Sequence, residues 1–125
     1  SDLVYGNIGA DTCVAGDGAD IVRGGQDNDL VFGGAGSDFV SGDRGDDTMY
    51  GGAGADNFHT FGDAGIDRVM DFSIADGDRV QLDPGTQYTV AQVGGDTVIS
   101  MVGGGQMTLV GVAMGALPAG WIFGA

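Results

Sequence analysis

The chain has 125 residues, including 27 Gly, 18 acidic and 4 basic residues, and every acid is Asp while every base is Arg. So much Gly without any Glu or Lys, the best exposed-helix formers, excludes an ordinary helical domain. A net charge of -14 repels nucleic-acid phosphates and makes a cation the natural partner.

The chain opens with Ser1-Asp2-Leu3 and shows no basic stretch followed by an apolar one, so no cleavable export signal is expected at its start. It reads as a piece of a longer protein whose remainder lies N-terminal to Ser1. From there a strict period begins. Asp2, Asp11, Asp20, Asp29, Asp38, Asp47 and Asp56 follow one another at a spacing of nine. The units read GNIGADTCV (6 to 14), AGDGADIVR (15 to 23), GGQDNDLVF (24 to 32), GGAGSDFVS (33 to 41), GDRGDDTMY (42 to 50) and GGAGADNFH (51 to 59). Two residues after each Asp stands an apolar residue: Val4, Cys13, Val22, Val31, Val40, Met49 and Phe58.

Six residues of Gly and Asp make a turn, where Gly permits positive φ, and three residues with an inward apolar centre make a short strand. Two units then form one coil. Stacking the coils puts Asp11, Asp29 and Asp47 in one column and Asp2, Asp20, Asp38 and Asp56 in another, with neighbours about 4.8 Å apart. At an effective dielectric of about 20, two carboxylates at roughly 5 Å repel by on the order of 3 kcal/mol. The stack needs a divalent ion between each pair. A set of carboxylates and backbone carbonyls on a flexible turn, without nitrogen or sulfur, suits calcium better than zinc, copper or magnesium.

Cys13 falls at an inward position, so packing rather than thiol chemistry is its expected role. A single Cys also excludes a disulfide framework and a Cys-built zinc cage. His59 is the only histidine and is expected at the outward end of its strand. Nothing in the sequence unites these two into a catalytic pair, so the chain is not expected to be an enzyme. Outward strand positions form two apolar rows, Leu3, Ile21 and Phe39, and Val14, Phe32 and Tyr50, of which at least one is expected to be covered.

Residues 1–59 thus form one unit, and 60–125 a second of different rhythm. After Thr60 and Phe61 are inserted, a degenerate unit GDAGIDRVM (62 to 70) places Asp67 and Val69 at the repeat positions. Alternating stretches follow at Arg68 to Phe72, Arg79 to Leu82, Tyr88 to Val93, Thr97 to Val102, Met107 to Val112 and Trp121 to Phe123. Turn signals divide them at residues 75–78, 83–85, 94–96 and 103–105, and they are expected to be antiparallel strands capping the open end of the coils. The tail from Met107 carries no charge, but its glycines and Pro118 argue against a membrane span.

The nonapeptides resemble the G-G-x-G-x-D-x-U-x repeat of the repeats-in-toxin (RTX, haemolysin-type) calcium-binding family. The resemblance implies an all-β fold, a right-handed parallel β-roll of nonapeptide repeats capped by a C-terminal antiparallel β segment. It further implies that each calcium ion is shared between turns one coil apart, taking carbonyls of positions 2 and 4 plus Asp from one turn and carbonyls of positions 1 and 3 plus Asp from the next. Carried onto this sequence, one site joins Asn7, Gly9 and Asp11 to Gly24, Gln26 and Asp29. The next in that column joins Gly25, Asp27 and Asp29 to Gly42, Arg44 and Asp47. In the other column, Gly16, Gly18 and Asp20 meet Gly33, Ala35 and Asp38, and Gly34, Gly36 and Asp38 meet Gly51, Ala53 and Asp56. A fifth joins Asp43, Gly45 and Asp47 to Gly62, Ala64 and Asp67, and Asp2 with Asp20 would be a truncated sixth. Asn7, Asp27 and Asp43 depart from Gly, and Ala15 from a first Gly, yet no expected carboxylate is lost.

The stretch Asp67-Arg-Val-Met-Asp-Phe72 followed by Asp78-Arg-Val-Gln-Leu82 resembles the segment closing the roll in serralysin-type RTX proteases, where Asp71 and Asp78 would either hold another calcium or serve as turn residues. The charge-poor end is similar to the uncleaved signal read by type I secretion systems of Gram-negative bacteria. The resemblance therefore implies a secreted, extracellular or cell-surface module with three partners: calcium, the type I secretion machinery and the rest of the parent protein. Five ions would take the charge from -14 to about -4. The competing expectation is a calcium-dependent adhesion or surface-layer module that self-associates through the apolar rows.

Overall fold

Every nine residues the backbone repeats one excursion, a glycine-rich turn and then three extended residues. A computed structural model describes residues 3–62 and 64–124; Asp2, placed by the period at the head of one column, lies outside them. The first strands are β1 (Leu3–Tyr5), β2 (Thr12–Val14), β3 (Ile21–Arg23), β4 (Leu30–Phe32), β5 (Phe39–Ser41), β6 (Thr48–Tyr50) and β7 (Asn57–Thr60). Odd strands build one parallel sheet and even strands the other, as Val4 pairs with Val22 and Cys13 with Val31, each 18 residues on. One coil is therefore two nonapeptides. Three extended residues turn only their middle side chain inward, and Val22, Val31, Val40, Met49 and Phe58 are fully buried between the sheets with Cys13 beside them.

The turns demand positive φ at repeat positions 2 and 4. Gly34 and Gly36 adopt 99° and 120°, while Asn7, Asp27 and Asp43 take 72°, 73° and 66° at the equivalent places. Asn and Asp are the residues that tolerate this region best after Gly. The three sequence departures thus keep the turn.

Beyond residue 59 the ladder does not stop. β8 (Ile66–Val69) pairs parallel with β6, and β9 (Arg79–Leu82) pairs parallel with β7. The insertions lengthen the repeat, since Thr48 faces Arg68 and Asn57 faces Arg79, 20 and 22 residues on. β10 (Tyr88–Val93), β11 (Asp96–Met101) and β12 (Gln106–Leu109) follow, then a 3-10 turn at Met114–Ala116 and β13 (Ile122–Phe123). The expectation that all strands after residue 60 are antiparallel is corrected here. Only β10–β11 and β11–β12 are antiparallel, whereas β12 runs parallel to β8 and β13 parallel to β9. Alternation marks a half-buried strand but carries no sign of direction, and the loop from Met70 to Asp78 is long enough to complete one more coil. The sheets read β1-β3-β5-β7-β9-β13 and β10-β11-β12-β8-β6-β4-β2.

Val69, Val80, Leu82, Ile99, Met107 and Leu109 extend the core to the C-terminal end, where Phe72 closes over Phe58 at 6.0 Å between ring centroids. Among the described residues no helix is long and apolar enough to cross a membrane. The outward rows are unevenly sheltered. Leu3, Ile21 and Val14 are exposed, while Phe32 and Tyr50 stack at 4.9 Å and Phe39 stacks on His59 at 5.4 Å. Phe32, Phe39 and Tyr50 are half-buried and stack along their rows, so neither row is exposed throughout.

Candidate metal centre

The aspartate of each turn precedes its strand, so successive coils hold these side chains in register. In each pair the later carboxylate accepts the earlier backbone N–H through Oδ1: Asp11 to Asp29 at 2.8 Å, Asp29 to Asp47 at 2.7 Å, and Asp47 to Asp67 at 3.1 Å. The second column repeats the pattern, with Asp20 to Asp38, Asp38 to Asp56, and Asp56 to Asp78, each at 2.9 Å. The other oxygen, Oδ2, of Asp11, Asp29, Asp38, Asp47, Asp56 and Asp67 is buried and has no hydrogen-bond partner. A buried carboxylate oxygen with nothing to bond is costly, and here the cost recurs six times in one geometric role.

Backbone carbonyls converge on the same spaces. A Cβ at Gly34 or Gly36 would strike the Gly16 or Gly18 carbonyl oxygen, and one at Gly52 or Gly54 that of Gly34 or Gly36. A Cβ at Gly25 or Gly45 would likewise meet the carbonyl of Asn7 or Asp27, and one at Gly65 that of Gly45. Position-2 and position-4 carbonyls of the lower turn thus point up. Carbonyls of the upper turn point down: Ala35, Ala53 and Ala64 accept the N–H of Gly18, Gly36 and Gly45, each at 2.8 Å, and a Cβ at Gly6 or Gly33 would strike the Gly24 or Gly51 oxygen. Gln26 and Arg44 donate their N–H to Asn7 and Gly25 at 2.6 and 2.9 Å. Each accepting carbonyl keeps a second lone pair. The first glycine must also be small, because a Cβ at Gly24, Gly33, Gly42 or Gly51 would collide with the carboxylate of Asp29, Asp38, Asp47 or Asp56.

This donor set fits calcium. All atoms are oxygen, two carboxylates face each space, and carbonyls complete it. Among the described residues no three His, Cys, Asp or Glu side chains meet, as expected when half or more of the ligands are backbone. The fifth space departs at one atom, since the Gly62 carbonyl accepts Gly105 N–H at 2.8 Å and so turns toward the next layer. Phe61, inserted before Gly62, re-forms the turn there, with Ala64 N–H donating to the Phe61 carbonyl at 3.1 Å.

Burial holds the ladder carboxyls above their ordinary range. The Asp47 and Asp56 carboxyls are pushed up to about 7 and Asp67 to about 8, with desolvation the main cause and neighbouring carboxylates adding to it. Asp29 and Asp38 move the same way for the same reasons.

Asp71 and Asp78 behave differently. Asp71 accepts Gly51 and Gly52 N–H, both at 2.9 Å, and Asp78 accepts Asp56 N–H at 2.9 Å and Ser73 N–H at 2.8 Å. All four oxygens hold backbone donors, which is the turn role.

A polar ladder that the period does not announce lines one outward row. Arg23 grips Asp43 through Nε and Nη2, the latter at 2.7 Å from Oδ1, and Ser41 Oγ donates to the same oxygen at 2.8 Å. His59 Nδ1 lies 3.3 Å from Ser41 Oγ and Nε2 lies 2.7 Å from Asp83 Oδ1, with its ring between Phe39 and Phe61. The line of Ser41, His59 and Asp83 is not a nucleophilic triad, because Ser41 is fully buried and its proton is committed to Asp43. A spacing of 18 between Arg23, Ser41 and His59 was the available signal. Cys13 is buried against the core, and burial pushes its thiol up, away from reactivity.

Known proteins agree with this geometry. Residues 1–22 and 23–58 match the model of the RTX calcium-binding nonapeptide repeat, in four copies. No curated protein matches the chain. The AlgE6R3 subunit of the Azotobacter vinelandii mannuronan C5-epimerase is 26% identical over all of this chain and 80% of that one, with a TM-score of 0.64. The extracellular lipase LipA from Serratia marcescens shares the fold at 22% identity and a TM-score of 0.59, over 91% of this chain. That match takes up 21% of the lipase, so the chain spans about a fifth of its length. Residues 1–58 thus carry RTX calcium-binding nonapeptide repeats, and these repeats support a calcium-binding module.

Proposed function

We propose that this chain is the calcium-triggered folding module of a larger exported protein, itself without catalytic activity, and that it travels by type I secretion to the exterior of a Gram-negative cell. The observation that carries the reading is the set of six buried, unpartnered Oδ2 atoms, of Asp11, Asp29, Asp38, Asp47, Asp56 and Asp67, facing inward-turned carbonyls. Five ions between stacked turns match the five pairs Asp11 with Asp29, Asp29 with Asp47, Asp20 with Asp38, Asp38 with Asp56, and Asp47 with Asp67. Residues 1–59 supply most ligands and 60–125 close the stack and carry the export signal.

Bound calcium supplies the positive charge that lets stacked carboxylates approach. The chain does the rest. Without ions, ionised aspartates keep neighbouring coils apart and the chain open enough to be exported; where calcium is near millimolar, extracellular-type sites fill and ordering follows. Type I machinery and the parent protein are its partners, and the extracellular relative LipA supports the exported setting. Calcium titration followed by circular dichroism and isothermal calorimetry tests the reading. Strand signal is expected to rise with ion binding and saturate near five ions per chain. Equal strand signal in excess chelator at neutral pH would overturn it.

A further inference from the structure

Four strands end the two sheets: β1 and β13 in one, β2 and β10 in the other. β1 and β2 have three residues each and β13 has two. β10 has six, reads YTVAQV, and is exposed at five of them. It lacks the charge, Pro or bulging Gly that natural sheets use to blunt an edge. The Gln87 carbonyl accepts Val102 N–H at 2.9 Å. By the alternation of an antiparallel ladder, Thr89, Ala91 and Val93 share their backbone bonds with β11, while Tyr88, Val90 and Gln92 turn theirs to the open edge.

We propose that β10 pairs with β10 of a second copy of this chain, antiparallel about a twofold axis, joining the two seven-stranded sheets into one. Charge selects this partner and this end. After Pro84 the only charged residue is Asp96, and its Oδ1 is already held by Gly111 N–H at 2.7 Å. Two copies meeting at β10 bring neutral ends together, whereas copies meeting at β1 or β2 press aspartate turns against each other. Twofold pairing of one edge with itself also closes, leaving no free β10 to recruit a third copy. Exposed Tyr88, Val93 and Val102 flank the edge, and an open hollow of about 410 Å³ between Tyr88 and Val102 lies beside it.

Sedimentation equilibrium of the calcium-loaded full chain across a concentration series reads the result. The mass is expected to rise from 12.5 kDa to twice that value. Ala91→Lys places two lysines on one face of the joined sheet and Tyr88→Pro removes an outward N–H; both are expected to stay monomeric while keeping the parent's calcium-induced circular dichroism. Should Pro disturb that spectrum, the exposed Ala91→Lys decides alone. A monomer at every concentration, a dimer that survives Ala91→Lys, or open-ended assemblies would each overturn the proposal. None of these outcomes touches calcium-induced folding, which the spectrum reports separately.

Discussion

A ladder aspartate divides its two oxygens between tasks. Oδ1 ties down the backbone of the preceding coil, and Oδ2 faces the shared space. Asp38 borders two such spaces and Asp11 one. Asp38→Ala is therefore expected to lose more bound calcium than Asp11→Ala when stoichiometry is read by calorimetry; equal losses would argue against ions shared between coils. Protons are the rival occupants. For Asp47, Asp56 and Asp67 the folded carboxyl lies near 7 to 8, against about 3.9 in an unfolded chain. Their contribution to an ion-free roll is thus fully present below about pH 4 and is lost as pH rises through 7 to 8. In chelator, circular dichroism is expected to show more strand at pH 5 than at pH 8. With calcium the order reverses, because the ligands must be deprotonated to bind. A chelated chain with pH-independent strand content would remove the carboxylate ladder as its cause.

At the scale of the turn and strand, backbone conformation is as constrained as the carboxylates. Gly34 has φ of 99°, and a Cβ there would strike the Gly16 carbonyl. Gly34→Ala is expected to destabilise the calcium-loaded fold by on the order of 1–3 kcal/mol through φ strain alone, and to weaken the site in which that carbonyl serves. Thermal melts at fixed calcium check this, with Gly95→Ala, where φ is not positive and no atom lies within 4 Å, as the neutral control. These turns were legible because one position recurs every nine residues, so a single Asp or Gly is read against six others. Strand direction after residue 60 was legible only in part, since the unit at 62 to 70 stacks Asp67 on Asp47 as β8 does, whereas β9 alternates just as an antiparallel strand would. The roles of Asp71 and Asp78 escaped for a related reason. An aspartate that caps N–H groups and one that awaits an ion look alike in sequence and differ only in whether Oδ2 is occupied.

Across the whole molecule the two ends are unlike. At the C-terminal end, the turn after β11 donates Gly105 N–H to the Gly62 carbonyl and Gln106 N–H to the Gly65 carbonyl, both at 2.8 Å. Hydrogen-bond donors there replace the ions, so the aspartate column stops without a repelling carboxylate above Asp67, where Met107 stands in register. At the other end, among the described residues, β1 and β2 are the last strands of the two sheets and Val4 is half-buried. Native-state hydrogen exchange of the calcium-loaded protein is expected to show protection rising from β2 toward β8; uniform protection would mean that the coils open only together. The ladder bonds give this slope a cause. The N–H of Asp11, Asp20, Asp29, Asp38, Asp47 and Asp56 is held by the carboxylate of the coil that follows it, never of the one before. Peeling a coil from the N-terminal side leaves every remaining aspartate N–H paired, while removing one from the C-terminal side orphans a donor. The roll is in this sense a ratchet with a foot and a head: coils can be added or shed at the head in whole units, and the length of such a rod can change by gain or loss of nonapeptide pairs without rebuilding its base.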